Sequence, residues 1–175
     1  MDRQAATGAE AGSDTWLTPP ALLEALGPFD LDPCCPPVMP WRTATAMWSH
    51  VASVVDNTTK CDGLLAAWPR RCRVFVNPPY SRPLAWVEKM AAHGDGVLLV
   101  PGTSPETRWG QQVLATADLL LYLTPRLKFW SAAGVEAPGA WQPNLLAAYG
   151  KRYVSALRRL PSLGFNGVLL VRDGG

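Results

Sequence analysis

A chain of 175 residues that is 48% apolar is long enough to bury one sizeable core, which predicts a single globular domain. Its net charge of +2 is too small to announce a nucleic-acid partner by itself, and no apolar run approaches the length of a membrane span. Residues 1–13 are small and polar with no apolar h-region, so they read as a flexible N-terminal segment before a domain at 14–175 of a soluble, cytoplasmic protein.

Along the chain, Pro19 and Pro20 lead into residues 21–26, whose apolar spacing predicts a short helix stopped by Gly27-Pro28. Residues 29–32 alternate as a strand that ends at Asp32, ahead of Pro33. The stretch 41–55 mixes helix-compatible residues with Thr, Val and Trp, which also suit strands, and receives no assignment. Residues 73–76 form an apolar strand. Residues 82–90 follow as a helix with Pro83 in its first turn, and 96–100 as a strand buried on both faces. Ser104 is expected to cap a helix with Pro105 at its first position, running to Thr116. Residues 119–123 give the next strand, while 144–148 and 168–171 add late strands around a helix near 152–160. The alternation predicts an α/β domain with a mostly parallel central sheet flanked by helices and joined by right-handed crossovers.

Adjacent Cys34 and Cys35, with isolated Cys61 and Cys72, do not form metal-ligand spacing, so the expectation is buried free thiols and no metal. His50 and His93 read as structural or surface residues. From Arg126 to Arg172 basic residues far outnumber acidic ones, which fits either a phosphate-facing surface or a solvated helix face around 151–159.

The tetrapeptide Asn77-Pro78-Pro79-Tyr80 directly follows the strand at 73–76, at the sheet edge where open α/β folds place ligands. The prolines stiffen the loop and remove N–H donors. The Asn77 side-chain oxygen and the Pro78 carbonyl then form an acceptor pair able to hold both hydrogens of a planar amine, and Tyr80 offers a face on which a base can stack. The plain alternative is a turn, since Asn and Pro are common turn formers.

With Asp14-Thr15-Trp16-Leu17-Thr18-Pro19, Phe29-Asp30-Leu31-Asp32-Pro33, Asp62-Gly63-Leu64 followed by Trp68, the Asn77 tetrapeptide, Trp86 with Lys89, and Arg126-Leu127-Lys128-Phe129 in this order, the chain resembles the phage DNA N6-adenine methyltransferase family. The resemblance covers roughly residues 14–149. It implies a single Rossmann-like domain that carries a methyl group from S-adenosylmethionine to adenine in DNA, with Asn77, Pro78, Pro79 and Tyr80 as the catalytic loop. It further implies Trp16, Thr18, Pro19, Asp32, Pro33 and Asp62 on the cofactor, and Tyr80, Arg126 and Lys128 on the substrate. Trp16 to Pro19 reads equally as a helix-starting turn with a core tryptophan, and Asp62-Gly63 as a tight turn. Trp86 is expected to pack while Lys89 reaches solvent. Two features depart from the pattern: Cys34-Cys35-Pro36-Pro37 stands where broader methyltransferases carry a glycine-rich turn, and Pro125 stands where glycine is common before Arg126. Similar tetrapeptides occur in enzymes that methylate RNA adenine or a protein glutamine, and a degenerate, non-catalytic DNA-binding module is the remaining alternative.

Overall fold

The most apolar segment of the chain builds the centre of the sheet. β5 (Gly96–Pro101) is buried along its whole length, and successive side chains enter opposite cores. Val97 and Leu99 pack with Leu22, Phe75 and Leu157, whereas Leu98 and Val100 pack with Trp86, Met90 and Val113. A strand without a polar face requires cover on both sides. α1 (Pro20–Leu26) and α4 (Lys151–Arg159) supply it on the first face, α2 (Leu84–His93) and α3 (Arg108–Thr116) on the second. The computed structural model describes residues 16–51, 59–131, 134–136 and 142–171. Expectations for residues 1–15, 52–55 and Arg172 therefore lie outside the described residues.

The other strands are β1 (Leu31–Asp32), β2 (Ala46–Ser49), β3 (Thr59–Lys60), β4 (Val74–Val76), β6 (Leu119–Leu123), β7 (Asn144–Tyr149) and β8 (Gly167–Leu170), in the spatial order β3-β2-β1-β4-β5-β7-β6-β8. β1 to β5 run parallel, and β6 shares their direction because β7 lies antiparallel between it and β5. The α/β expectation, with a mostly parallel sheet, is met. β7 and β8 are the exceptions. No helix among the described residues between β6 and β7 returns the chain to the other edge, so β7 starts where β6 ends and must run backwards.

Several local expectations need adjustment. The unassigned 41–55 stretch contains β2, where Trp48 follows its strand preference and alternate Met47 and Ser49 are buried. α3 starts three residues after Pro105: Thr107 is its cap, accepting from the Gly110 N–H at 3.1 Å while donating to the Ser104 carbonyl at 2.7 Å. In α4, Tyr153, Ala156 and Leu157 are buried and Lys151, Arg152, Arg158 and Arg159 are exposed, so its charges are a solvated face. Its first turn lies at the amino edge of the sheet, because β7 ends beside Gly96. Lys151 and Arg152 are thus at the opposite edge from Asn77.

The sheet reverses its winding between β1 and β4: β2 and β3 extend to one side, β5 to the other. Loops leaving the carboxyl ends of β1 and β4 diverge there and open a crevice. No helix among the described residues is long and apolar enough to cross a membrane.

Candidate active site

The crevice is a cavity of about 500 Å³, within the roughly 300–1,000 Å³ typical of small-molecule sites. Its walls come from the Trp16–Thr18 segment and from the loops after β1, β3 and β4. Asp32 and Asn77, which close β1 and β4, both face it although 45 residues separate them in the sequence.

Asn77 is held in one orientation. Its Nδ2 donates to the Trp16 carbonyl at 2.8 Å and to Thr18 Oγ1 at 3.2 Å. Because a carbonyl only accepts, the amide nitrogen must be the atom facing Trp16, which fixes Oδ1 on the other side. Among the described residues that oxygen has no hydrogen-bond partner, and it has no solvent contact. A buried acceptor left unpaired typically costs about 1–3 kcal/mol. The Trp16 to Pro19 segment, which the family resemblance assigns to the cofactor, thus also grips the Asn77 amide. Leu17 pins the segment through two 3.0 Å backbone bonds with Trp130, and Trp41 Nε1 donates to the Thr18 carbonyl at 3.1 Å. Pro19 lies outside the cavity lining and precedes α1 as its cap residue.

Two acids at β1 occupy opposite electrostatic environments. Asp30, just before the strand at the amino edge, is paired with Arg73, whose hydrogen bonds hold its carboxyl down at about 2. Asp32 is 4% exposed. Burial pushes its carboxyl up to about 7, against the opposing effects of Thr43 Oγ1 donating at 2.6 Å and the Cys34 N–H at 3.1 Å. Pro33 lines the cavity beside it. The Cys34-Cys35-Pro36-Pro37 loop does not obstruct the crevice but forms part of its wall, and Cys34 Sγ donates to the Asn77 carbonyl at 3.3 Å. One residue therefore touches both the Asp32 carboxylate and the Asn77 main chain.

Asp62 lines the cavity and closes a turn at the same time: its Oδ1 accepts from the N–H groups of Leu64 and Leu65 at 2.9 and 3.3 Å. Gly63 has a further reason to be glycine. A Cβ there would stand 1.9 Å from the Pro33 carbonyl oxygen, so the loops after β1 and β3 are pressed backbone to backbone. Gly63→Ala is expected to force them apart, at a cost of about 1–3 kcal/mol. A lowered denaturation midpoint is the expected result; an unchanged midpoint would show that the loops separate freely.

Lys89 is partly exposed, as expected, but its ammonium is also tied to the protein. Its Nζ donates to the Leu64 and Ala66 carbonyls at 2.8 and 2.6 Å and lies 5.2 Å from the centre of the Trp68 ring, while Trp68 Nε1 donates to the Gly63 carbonyl at 2.8 Å. Trp86 packs in the core, as its helix position implied, and also borders the cavity.

The tetrapeptide divides its residues between the cavity and the core. Asn77 and exposed Pro79 line the cavity, whereas Pro78 is buried and Tyr80 packs against the core; neither of these two is part of the lining. The Tyr80 hydroxyl accepts from Asn144 Nδ2 at 3.1 Å, and burial raises its pKa above the usual phenol range. Asn144 is fully buried and its Oδ1 has no partner among the described residues. Tyr80→Phe, mild if the ring alone mattered, is accordingly expected to destabilise the fold by about 1–3 kcal/mol, since it leaves the second half of a buried amide unpaired. Thermal unfolding of Tyr80→Phe beside a Tyr80→Phe/Asn144→Leu double variant measures this, with partial recovery expected in the double.

Arg126 and Lys128 are exposed on the loop after β6, outside the cavity lining, and Lys128 pairs with Glu136 at 3.4 Å. Thr43, His50 and Arg82 border the cavity without having been singled out for it. Arg82 was the most accessible to sequence reasoning, two residues beyond the tetrapeptide; Thr43 carries no motif and is identified only by its bond to Asp32. The four cysteines are free thiols, and His93 Nε2 lies 2.6 Å from the Cys72 carbonyl, a structural contact.

A family model described as DNA N-6-adenine-methyltransferase (Dam) matches residues 5–146. The chain belongs to this family. No curated protein matches it. The matched span contains every cavity-lining residue and ends within β7, so α4 and β8 lie beyond it. As a Dam-family enzyme, the protein transfers a methyl group from S-adenosylmethionine to the N6 amine of adenine in DNA.

Proposed function

We propose that the cavity at the β1/β4 switch point is the active site of this adenine methyltransferase, with Asn77 orienting the target amine beside the bound cofactor. The observation that carries the reading is the orphaned Asn77 Oδ1: a buried acceptor, fixed by bonds on its amide nitrogen, at the wall of a cavity formed by the catalytic loop. An adenine N6 hydrogen would satisfy it. The bond would draw one hydrogen away from ring conjugation geometry and leave the nitrogen lone pair directed at the donor. Because Oδ1 has no solvent contact, entry of the base requires the side chains over it to move aside, which also keeps water from competing for the acceptor. Pro78, buried, would supply the second acceptor through its carbonyl, and Pro79 keeps the turn stiff. Tyr80 would act from behind the loop, held by Asn144.

The residues present fit S-adenosylmethionine. When bound, it supplies an electrophilic methyl group on a positively charged sulfur. Asp32 is a buried carboxylate whose ionisation lacks a partner cation, and the cofactor's ammonium is such a cation. Trp16, Thr18 and Pro33 would bound its amino-acid end, and Asp62 its nucleoside end. Arg126 and Lys128, exposed on a carboxyl-edge loop, would contact DNA phosphates. The resemblance of the motif order to phage enzymes supports a phage-encoded protein acting on DNA in the host cytoplasm.

The test is labelled methyl transfer to unmethylated DNA followed by nucleoside mass spectrometry. N6-methyladenine from wild type and none from Asn77→Ala is expected. Full labelling by the variant would reject Asn77 as the orienting group.

A further inference from the structure

Leu65 is the most exposed of the large apolar side chains among the described residues, at 85%. It stands on the turn after β3, next to Asp62, Gly63 and Leu64, which line the cavity. A single exposed leucine is ordinary on a protein surface; what sets this one apart is its place on a braced turn at the rim of the cavity.

The turn is also braced more firmly than an idle loop requires. Lys89 Nζ holds the carbonyls on both sides of Leu65, at 2.8 and 2.6 Å, and burial lowers the lysine's pKa in doing so. Asp62 accepts from the Leu64 and Leu65 N–H groups, Trp68 fixes the Gly63 carbonyl, and Gly63 rests on the Pro33 backbone. The result is an apolar tip on a rigid mount at the side of the cavity. Lys60, at the end of β3, and Arg82, on the cavity wall, are exposed cations on the same carboxyl edge.

We propose that Leu65 is a wedge that enters the base stack of duplex DNA when the target adenine is withdrawn. The inference rests on the reading of the cavity as the active site. An adenine within a duplex cannot reach a buried acceptor without leaving its stack, and its departure opens a gap between neighbouring base pairs. Apolar side chains inserted at base steps offset part of the unstacking cost. A tip whose backbone is already fixed loses little main-chain entropy on insertion. Lys60 and Arg82 supply phosphate contacts that bring the tip to the backbone.

The experiment measures methyl transfer to native and to heat-denatured DNA from one unmethylated source, with cofactor binding followed by calorimetry. Leu65→Ala is expected to lower the native-to-denatured rate ratio by about tenfold or more, Leu65→Phe to restore most of it, and the cofactor dissociation constant to stay at the wild-type value in both. A wild-type ratio in Leu65→Ala would overturn the proposal, as would a wild type that acts only on denatured DNA. Asn77→Ala, assayed in parallel, separates the two readings: retained activity on both substrates would remove the active-site assignment, whereas the Leu65 ratio reports on the wedge alone.

Discussion

Asn77→Ala is expected to lower kcat by about 10²–10³-fold, the usual loss when an oriented hydrogen-bonding group acting in the transition state is removed. Cofactor affinity should fall much less. The substitution also deletes the two bonds from Nδ2 to Trp16 and Thr18, each worth about 1 kcal/mol, so the cofactor dissociation constant should rise by no more than about thirtyfold. Asn77→Asp makes a sharper comparison. It keeps the volume and an acceptor, but turns a carboxylate toward the Trp16 carbonyl, so it should lose the loop geometry as well as the rate. Single-turnover kinetics with calorimetric cofactor binding separates these effects. Equal losses in kcat and in cofactor affinity would mean that Asn77 only shapes the cavity.

The second large effect concerns Asp32, whose carboxyl lies at about 7 in the folded protein against an ordinary value of 3.8. Raised by burial, it makes the folded state bind more protons than the unfolded chain between those two values. Stability contributed by this group is therefore greatest at acidic pH, declines as pH rises from about 4 to 7, and is level above. Cofactor binding should show the opposite trend, because a cation seated beside Asp32 favours the ionised form. From pH 8 to pH 6 the dissociation constant of S-adenosylmethionine should rise by about tenfold. Asp32→Asn should abolish that pH dependence and weaken binding at pH 8 by at least about tenfold, while raising the melting temperature of the cofactor-free protein, since a buried unpaired charge is removed. A variant that binds less tightly and melts earlier at pH 8 would mean that Asp32 is structural, serving the loop through Thr43 and Cys34.

How much of this was legible beforehand follows from where each determinant resides. The strands at 73–76, 96–100 and 119–123 and the helix at 82–90 were legible because continuous apolar runs and proline at helix starts are local signals. The cap of α3 was misplaced because Ser104, Pro105 and Thr107 all satisfy local rules, and only the close approach of Gly110 to the Ser104 carbonyl distinguishes them. The bonds of Lys89 are hidden for a similar reason: on its helix it is a surface lysine, and the carbonyls it holds belong to a loop more than 20 residues earlier. Tyr80 reads as a stacking face in a tetrapeptide, while its partner Asn144 lies 64 residues away on β7.

The sequence by itself determined the alternation of strand and helix, the stiff Asn77 to Tyr80 loop at a strand end, and a family pattern specifying adenine methylation, since these depend on neighbours in the chain and on recognisable motifs. Tertiary structure alone decided that Asp32 is an unpaired buried acid, that the Trp16 segment fixes the Asn77 amide with its oxygen unpartnered, and that Gly63 must be bare against Pro33. The reason is physical: desolvation and hydrogen-bond satisfaction depend on which groups the sheet brings together across tens of residues, and no local spacing encodes them.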